Sequence, residues 1–146
     1  MKKLILLLWA FLLPTIALAQ APPQGCYTTN GVNCVPAVQA ATSVPINIAA
    51  STTTELVALV ANKTIFVTSW DVISGGIGNF TLVYGTGTNC GTGTTSLTGA
   101  YPLIAQAGIS KGDGLGPVLI VPRGNALCAT TSTSVQMSGA VSYAQF

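Results

Sequence analysis

Between Val135 and Ala144 the chain alternates. Val135, Met137, Val141 and Tyr143 fall on one side of an extended backbone, and Gln136, Ser138, Ala140, Ser142 and Ala144 on the other. Successive side chains of a strand point to opposite faces, so this period of two predicts a strand with one face in a core. The same period runs through Val44, Ile46 and Ile48, and again through Phe80, Leu82 and Tyr84. "TTELVALVA" and "KTIFVTSWDVIS" are rich in β-branched residues, and "GPVLIVP" reads as a short buried strand with a proline at each end. No stretch beyond residue 20 sustains a helical period. Many short strands divided by Gly and Pro predict an all-β fold, a single antiparallel β-sandwich of jelly-roll type.

The chain opens differently. Lys2 and Lys3 precede an apolar run from Leu4 to Leu13, Pro14 interrupts it, and Ala17-Leu18-Ala19 supplies small residues for a peptidase. The interrupted run is shorter than the roughly 20 apolar residues a membrane span needs. Residues 1–19 are therefore expected to be a signal peptide, cleaved after Ala19. Residues 20–43, "QAPPQGCYTTNGVNCVPAVQAATS", show little periodicity and predict an irregular N-terminal arm, a lead-in or a strap against the domain or a neighbour. Residues 44–146 are the expected sandwich domain.

The leader carries two of the five basic residues. Beyond it, Lys63, Lys111 and Arg123 balance Glu55, Asp71 and Asp113. Nucleic-acid and anionic-lipid binding rest on clustered Lys and Arg, so neither partner is expected. A chain this poor in charge must wet its surface with Thr, Ser, Asn and Gln. Such a surface suits packing against copies of itself or another neutral protein.

Four cysteines follow the leader: Cys26, Cys34, Cys90 and Cys128. An even count in an exported chain favours disulfides. Three pairings are open, and Cys26–Cys34 with Cys90–Cys128 is favoured, because the first two lie close together in an otherwise unanchored N-terminal stretch. In the chain-entropy view the longer loop contributes about 4 kcal/mol and the shorter about 2.5 kcal/mol. Without histidine or a CxxC pair, no metal site and no cofactor are expected.

Cys90 lies in "GNFTLVYGTGTNCGTGTTSLTGAYPL", a stretch rich in Gly and Thr. A dinucleotide loop would need a third glycine where Cys90 stands, and a helix after it. Flanking apolar segments argue against a linker. The stretch is better read as a strand through Tyr84 running into a wide turn, clamped by Cys90 to Cys128. If Leu127 faces the core, Cys128 faces outward, where that turn can reach it.

Catalysis finds little to work with. The commonest general base is absent, and Glu55, Asp71 and Asp113 lie in separate segments. The S-x-x-K and G-x-S-x-G nucleophile patterns are missing, and "KGDGLG" lacks the calcium-loop ladder. The chain is expected not to be an enzyme. Asn62-Lys63-Thr64 and Asn79-Phe80-Thr81 match the glycosylation acceptor pattern. For ligand binding, Trp70, Tyr84 and Tyr101 are candidate sugar platforms, with Asn79 and Asn89 as polar neighbours. Strand positions favour Trp70 and Tyr84 as core residues, which leaves Tyr101 the better exposed of the three.

"NFTLVYGTG", "SLTGAYPLIAQAGIS" and "GNALCATTSTSVQMSGAVSYAQF" resemble small β-sandwich proteins encoded among the virion genes of tailed phages. The resemblance covers roughly Thr54 to Phe146. It implies a non-enzymatic virion component, a capsid-decorating or fibre-associated module that self-associates about a symmetry axis, for instance as a trimer. The leader and the cysteines depart from that pattern. They fit an exported protein of the periplasm, cell surface or medium that uses the same fold, with the virion as the alternative location. The expected role is structural or adhesive. The runner-up is a secreted carbohydrate-binding module.

Overall fold

The computed structural model describes residues 42–112 and 116–146 in full, and residues 26–28 and 34–36 by backbone alone. The expected leader lies outside the described residues, as does most of the arm. Within the arm, β1 (Cys26–Thr28) and β2 (Cys34–Pro36) pair antiparallel, with Cys26 opposite Pro36 and Thr28 opposite Cys34. The Cys26–Cys34 bridge itself falls outside the described residues.

Ten further strands follow: β3 (Thr42–Ile48), β4 (Thr53–Val57), β5 (Ile65–Ser74), β6 (Gly78–Thr86), β7 (Thr92–Ser96), β8 (Tyr101–Leu103), β9 (Gly108–Lys111), β10 (Leu119–Val121), β11 (Ala126–Thr131) and β12 (Met137–Gln145). Between β6 and β7 sits a single 3-10 turn, Thr88–Cys90, and no α-helix occurs among the described residues. The strands form two five-stranded sheets. One runs β10-β5-β12-β3, with β9 also on β5; the other runs β4-β11-β6-β7, with β8 also on β6.

The pairing is nested. β3 pairs with β12, β4 with β11, β5 with β9 and β10, and β6 with β7 and β8, all antiparallel. Successive levels of this long hairpin fall in alternate sheets, so the chain rolls up into a double layer. That is the jelly roll, with two of its eight strand positions each divided in two.

Between the layers lies one apolar core that includes Ile46, Ile48, Val57, Ile65, Val67, Trp70, Val72, Phe80, Leu82, Leu127, Met137 and Val141. The period-two residues of β3, β6 and β12 supply much of it. β5 breaks the period. Ile65 and Val67 point inward, then Trp70, Val72 and Ser74, so the parity changes at Thr68. The register explains this: Val141 opposes Trp70, Ser142 opposes Ser69 and Tyr143 opposes Val67, which leaves Thr68 as the extra residue of a bulge. Its hydroxyl donates to the Ser142 carbonyl at 3.1 Å, satisfying a buried polar group where the ladder is interrupted.

"GPVLIVP" differs from expectation. Only Leu119–Val121 is strand, and it pairs with β5 alone at the sheet edge, with Ile120 47% exposed. A proline removes a backbone donor, which an edge tolerates and a central strand does not, so the bracketing prolines suit the position observed.

Candidate functional site

The glycine–threonine stretch builds the first feature. β6 places Phe80, Leu82 and Tyr84 towards the core and Val83 and Gly85 on the outer face of its sheet. Beyond Thr86 the chain folds back over that face and returns as β7, which pairs with β6 through a bulge. Cys90 is bridged to Cys128 of β11 with the Cα atoms 6.3 Å apart. Leu127 and Cys128 do lie on opposite faces of β11, but both are fully buried. Cys128 sits with Val83, Cys90 and Ala126 in a second small core beneath the fold-back, rather than facing solvent.

Gly85 permits this close approach. A Cβ there would lie 2.9 Å from both the Cys90 and the Thr92 carbonyl oxygens. Asn89 holds the other flank. It adopts a left-handed conformation (φ 51°, ψ 39°), and its Oδ1 accepts from the Glu55 backbone N–H on β4 at 3.1 Å. This hydrogen bond fastens the cap to the edge strand, and a ligand would have to compete for the same oxygen.

A second feature is a cleft of about 220 Å³ at the open side between the sheets, lined by Trp70, Thr98, Tyr101, Lys111, Gly112, Val118 and Leu119. Trp70 packs on Phe80 and on Tyr101, with ring centroids 5.8 and 5.5 Å apart. Trp70 is only 2% exposed; Tyr101 is half-buried. Asn79 is exposed, points away from the Phe80 side of β6, and its backbone N–H donates to Ser132 Oγ at 2.8 Å. The structure therefore joins Trp70 and Tyr101, and leaves Asn79 and Asn89 elsewhere.

The two carboxylates described, Glu55 and Asp71, are both exposed and stand on different sheets. No group of three or more His, Cys, Asp or Glu side chains positioned to hold a metal occurs among the described residues.

The third feature was not legible as a site in the sequence. Large apolar side chains are exposed at two ends of the sandwich. At the end of β5, Ile73 is 56% exposed, and Ile77 and Ile104 follow at 75% and 65%. Gly78 opposes Leu103 in the β6–β8 register, which brings Ile77 and Ile104 to adjacent positions beyond it. The turn after Ile104 is tied to the end of β5 by the Gln106 N–H donating to Ser74 O and the Ser74 N–H donating to Ala107 O. About 24 Å away along β5, from seven residues of strand rise, Phe66 meets Phe146 with ring centroids 5.8 Å apart. Ile120 and Ala144 flank Phe66 in register on the same outer face. Ile77 and Ile104 are brought together by strand register, while Ile73 lies on the other sheet between Ser138 and Gly108.

No protein-family model matches this chain, and no curated protein matches it. Among solved structures it is similar to a chain in the structure of infectious bursal disease virus, Gx strain, with 15% identity and a TM-score of 0.32 over 82% of this chain. This chain spans about a third of that one, 36% of its length. The virus is not a tailed phage. At that TM-score the fold assignment rests on the nested strand pairing and not on the neighbour.

Proposed function

We propose that this chain is an exported, non-enzymatic structural protein that associates with copies of itself, or decorates a larger assembly, through its isoleucine end. The observation that carries the reading is the adjacent pair Ile77 and Ile104, with Ile73 near the same end on the other sheet, each more than half exposed in a chain with hardly any charge. Exposed apolar groups gathered in one place favour burial against a partner, and a neutral surface offers no long-range repulsion between copies. The fully buried Cys90–Cys128 bridge supports folding in an oxidising compartment, whether periplasm, cell surface or medium. A place in or on a phage virion is the finer form of the same proposal, and the resemblance of residues 54–146 supports it.

The test is the pair Ile77→Asp and Ile104→Asp. Oligomers of the oxidised protein should fall to monomer while the melting temperature stays nearly unchanged, because neither side chain is in the core. Unaltered oligomers would remove this end from the account.

The cleft beside Tyr101 favours a second reading, a secreted carbohydrate-binding module. Tyr101 offers part of a ring, with Thr98 and Lys111 as polar groups beside it. Trp70, at 2% exposure, has no free face for a sugar to stack on, which ranks this reading below the first. Replacing Tyr101 with Ala should abolish retention on a glycan array; an unchanged profile would eliminate the lectin role.

A further inference from the structure

The large apolar side chains that stand out of the sandwich are gathered at its two ends. Ile73, Ile77 and Ile104 mark one end, and Leu59, Val60, Ile120 and Phe146 are the exposed ones at the other. Three contacts place that second group. Phe146 exchanges backbone hydrogen bonds with Thr64, just before β5, at 2.6 and 3.1 Å. Val121 opposes Ile65, the first residue of β5. Gln145 Nε2 donates to the Ala58 carbonyl at 3.2 Å, which draws the loop carrying Leu59 and Val60 to the end of β12. The cations Lys63 and Arg123 belong to this end as well. The Gly124 N–H donates to Lys63 O at 3.1 Å, and Arg123 Nε donates to the Asn62 carbonyl at 2.7 Å. The remaining described cation beyond the leader, Lys111, stands opposite Trp70 and lines the cleft. Asp71 shares the outer face of β5 with Ile73, two residues back, and is exposed. One end is therefore apolar and basic, and the other apolar with a carboxylate set behind it.

We infer that copies of this chain associate head to tail, the isoleucine end of one seated on the Phe146 end of the next. The inference rests on the self-association proposed above and names what the isoleucine end meets. Two ends allow three kinds of contact. The Phe146 end against itself would set Lys63 and Arg123 against their own copies, and like charges facing one another oppose association. The isoleucine end against itself would leave Phe146, Ile120, Val60 and Leu59 in water. Opposite ends bury both apolar groups with a single kind of contact, and they bring the two cations towards the side that carries Asp71. Such a contact joins different patches, so it repeats from copy to copy until the rotation closes a ring or the assembly runs on as a filament. Phe66, Ile120 and Ile73 all point out of the β10-β5-β12-β3 sheet. Both patches thus tilt to one side of the molecule, and successive contacts curve towards that side, which favours a closed ring with this sheet turned to its axis.

Two variants of the full exported, oxidised chain test this by native mass spectrometry, each with one end disabled. One carries Ile77→Asp and Ile104→Asp; the other carries Phe146→Lys, with Val60→Lys in its place if that variant does not fold. Each alone should lose its oligomers and appear as monomer. Mixed in equal amounts, at the concentration that fully assembles the unaltered protein, they should form a dimer of one copy of each and nothing larger. Each then supplies the end that the other lacks. Oligomers persisting in the Phe146→Lys or Val60→Lys protein while the isoleucine variant is monomeric would mean that the isoleucine end pairs with itself. That result overturns the head-to-tail contact and leaves the proposed function standing. Oligomers persisting in the isoleucine variant would remove both. Two monomeric variants that do not combine would overturn the head-to-tail contact as well.

Discussion

Cys128 shows how one residue decides the shape of a face. On an open strand its outward position beside the core-facing Leu127 would be wet; here the fold-back over β6 and β11 buries it completely. The bridge closes a loop of 38 residues, which in the chain-entropy view contributes about 4 kcal/mol. Cys128→Ser should therefore lower the melting temperature by roughly 10–15 °C, as a thermal scan of the exported protein would register. A shift below a few degrees would mean that the cap is held by other contacts. Gly139 constrains the opposite sheet in a similar way, since a Cβ there would collide with the Asp71 carbonyl oxygen on β5. The pairing of Cys90 with Cys128 was the favoured one of three, because Cys26 and Cys34 lie close together in the N-terminal stretch, and the structure shows it. The burial of Cys128 was not legible, because it depends on a segment forty residues earlier lying across it.

At the scale of elements, alternation made β3, β6 and β12 legible, with Ile46, Phe80 and Met137 all inward as the period of two requires. β5 was legible as a strand but not in its facing. The bulge at Thr68 inverts the parity halfway along, and a pattern of apolar residues cannot show where a partner strand skips a residue. The Thr68 hydroxyl replaces part of the ladder lost there. Thr68→Val should cost about 1–2 kcal/mol, read as a lower midpoint in urea unfolding, because the hydroxyl's hydrogen bond is lost in a buried setting. A neutral result would show the bulge to be fixed by packing alone. β10 illustrates the other limit: an apolar run between prolines looks buried, but its place at the edge follows from which strands the roll has already paired inside it.

For the whole molecule, the nested pairing of β3 with β12 down to β6 with β7 and β8 defines a jelly roll from strand order alone. The fold class could be anticipated from strand spacing and turn chemistry; the candidate surfaces could not. Ile73, Ile77 and Ile104 come from two segments and read in the sequence as ordinary strand residues. They become an apolar end only when the 104–107 turn is tied to Ser74. Asn89 shows the converse: it looked free for a ligand and instead holds the β4 edge through Glu55.

Native mass spectrometry of the protein exported from a bacterial host, without reductant, tests self-association most directly. The account predicts a mass beginning at Gln20 and four hydrogens light, in closed trimers or larger rings. A processed, oxidised species that stays monomeric at every concentration would contradict it.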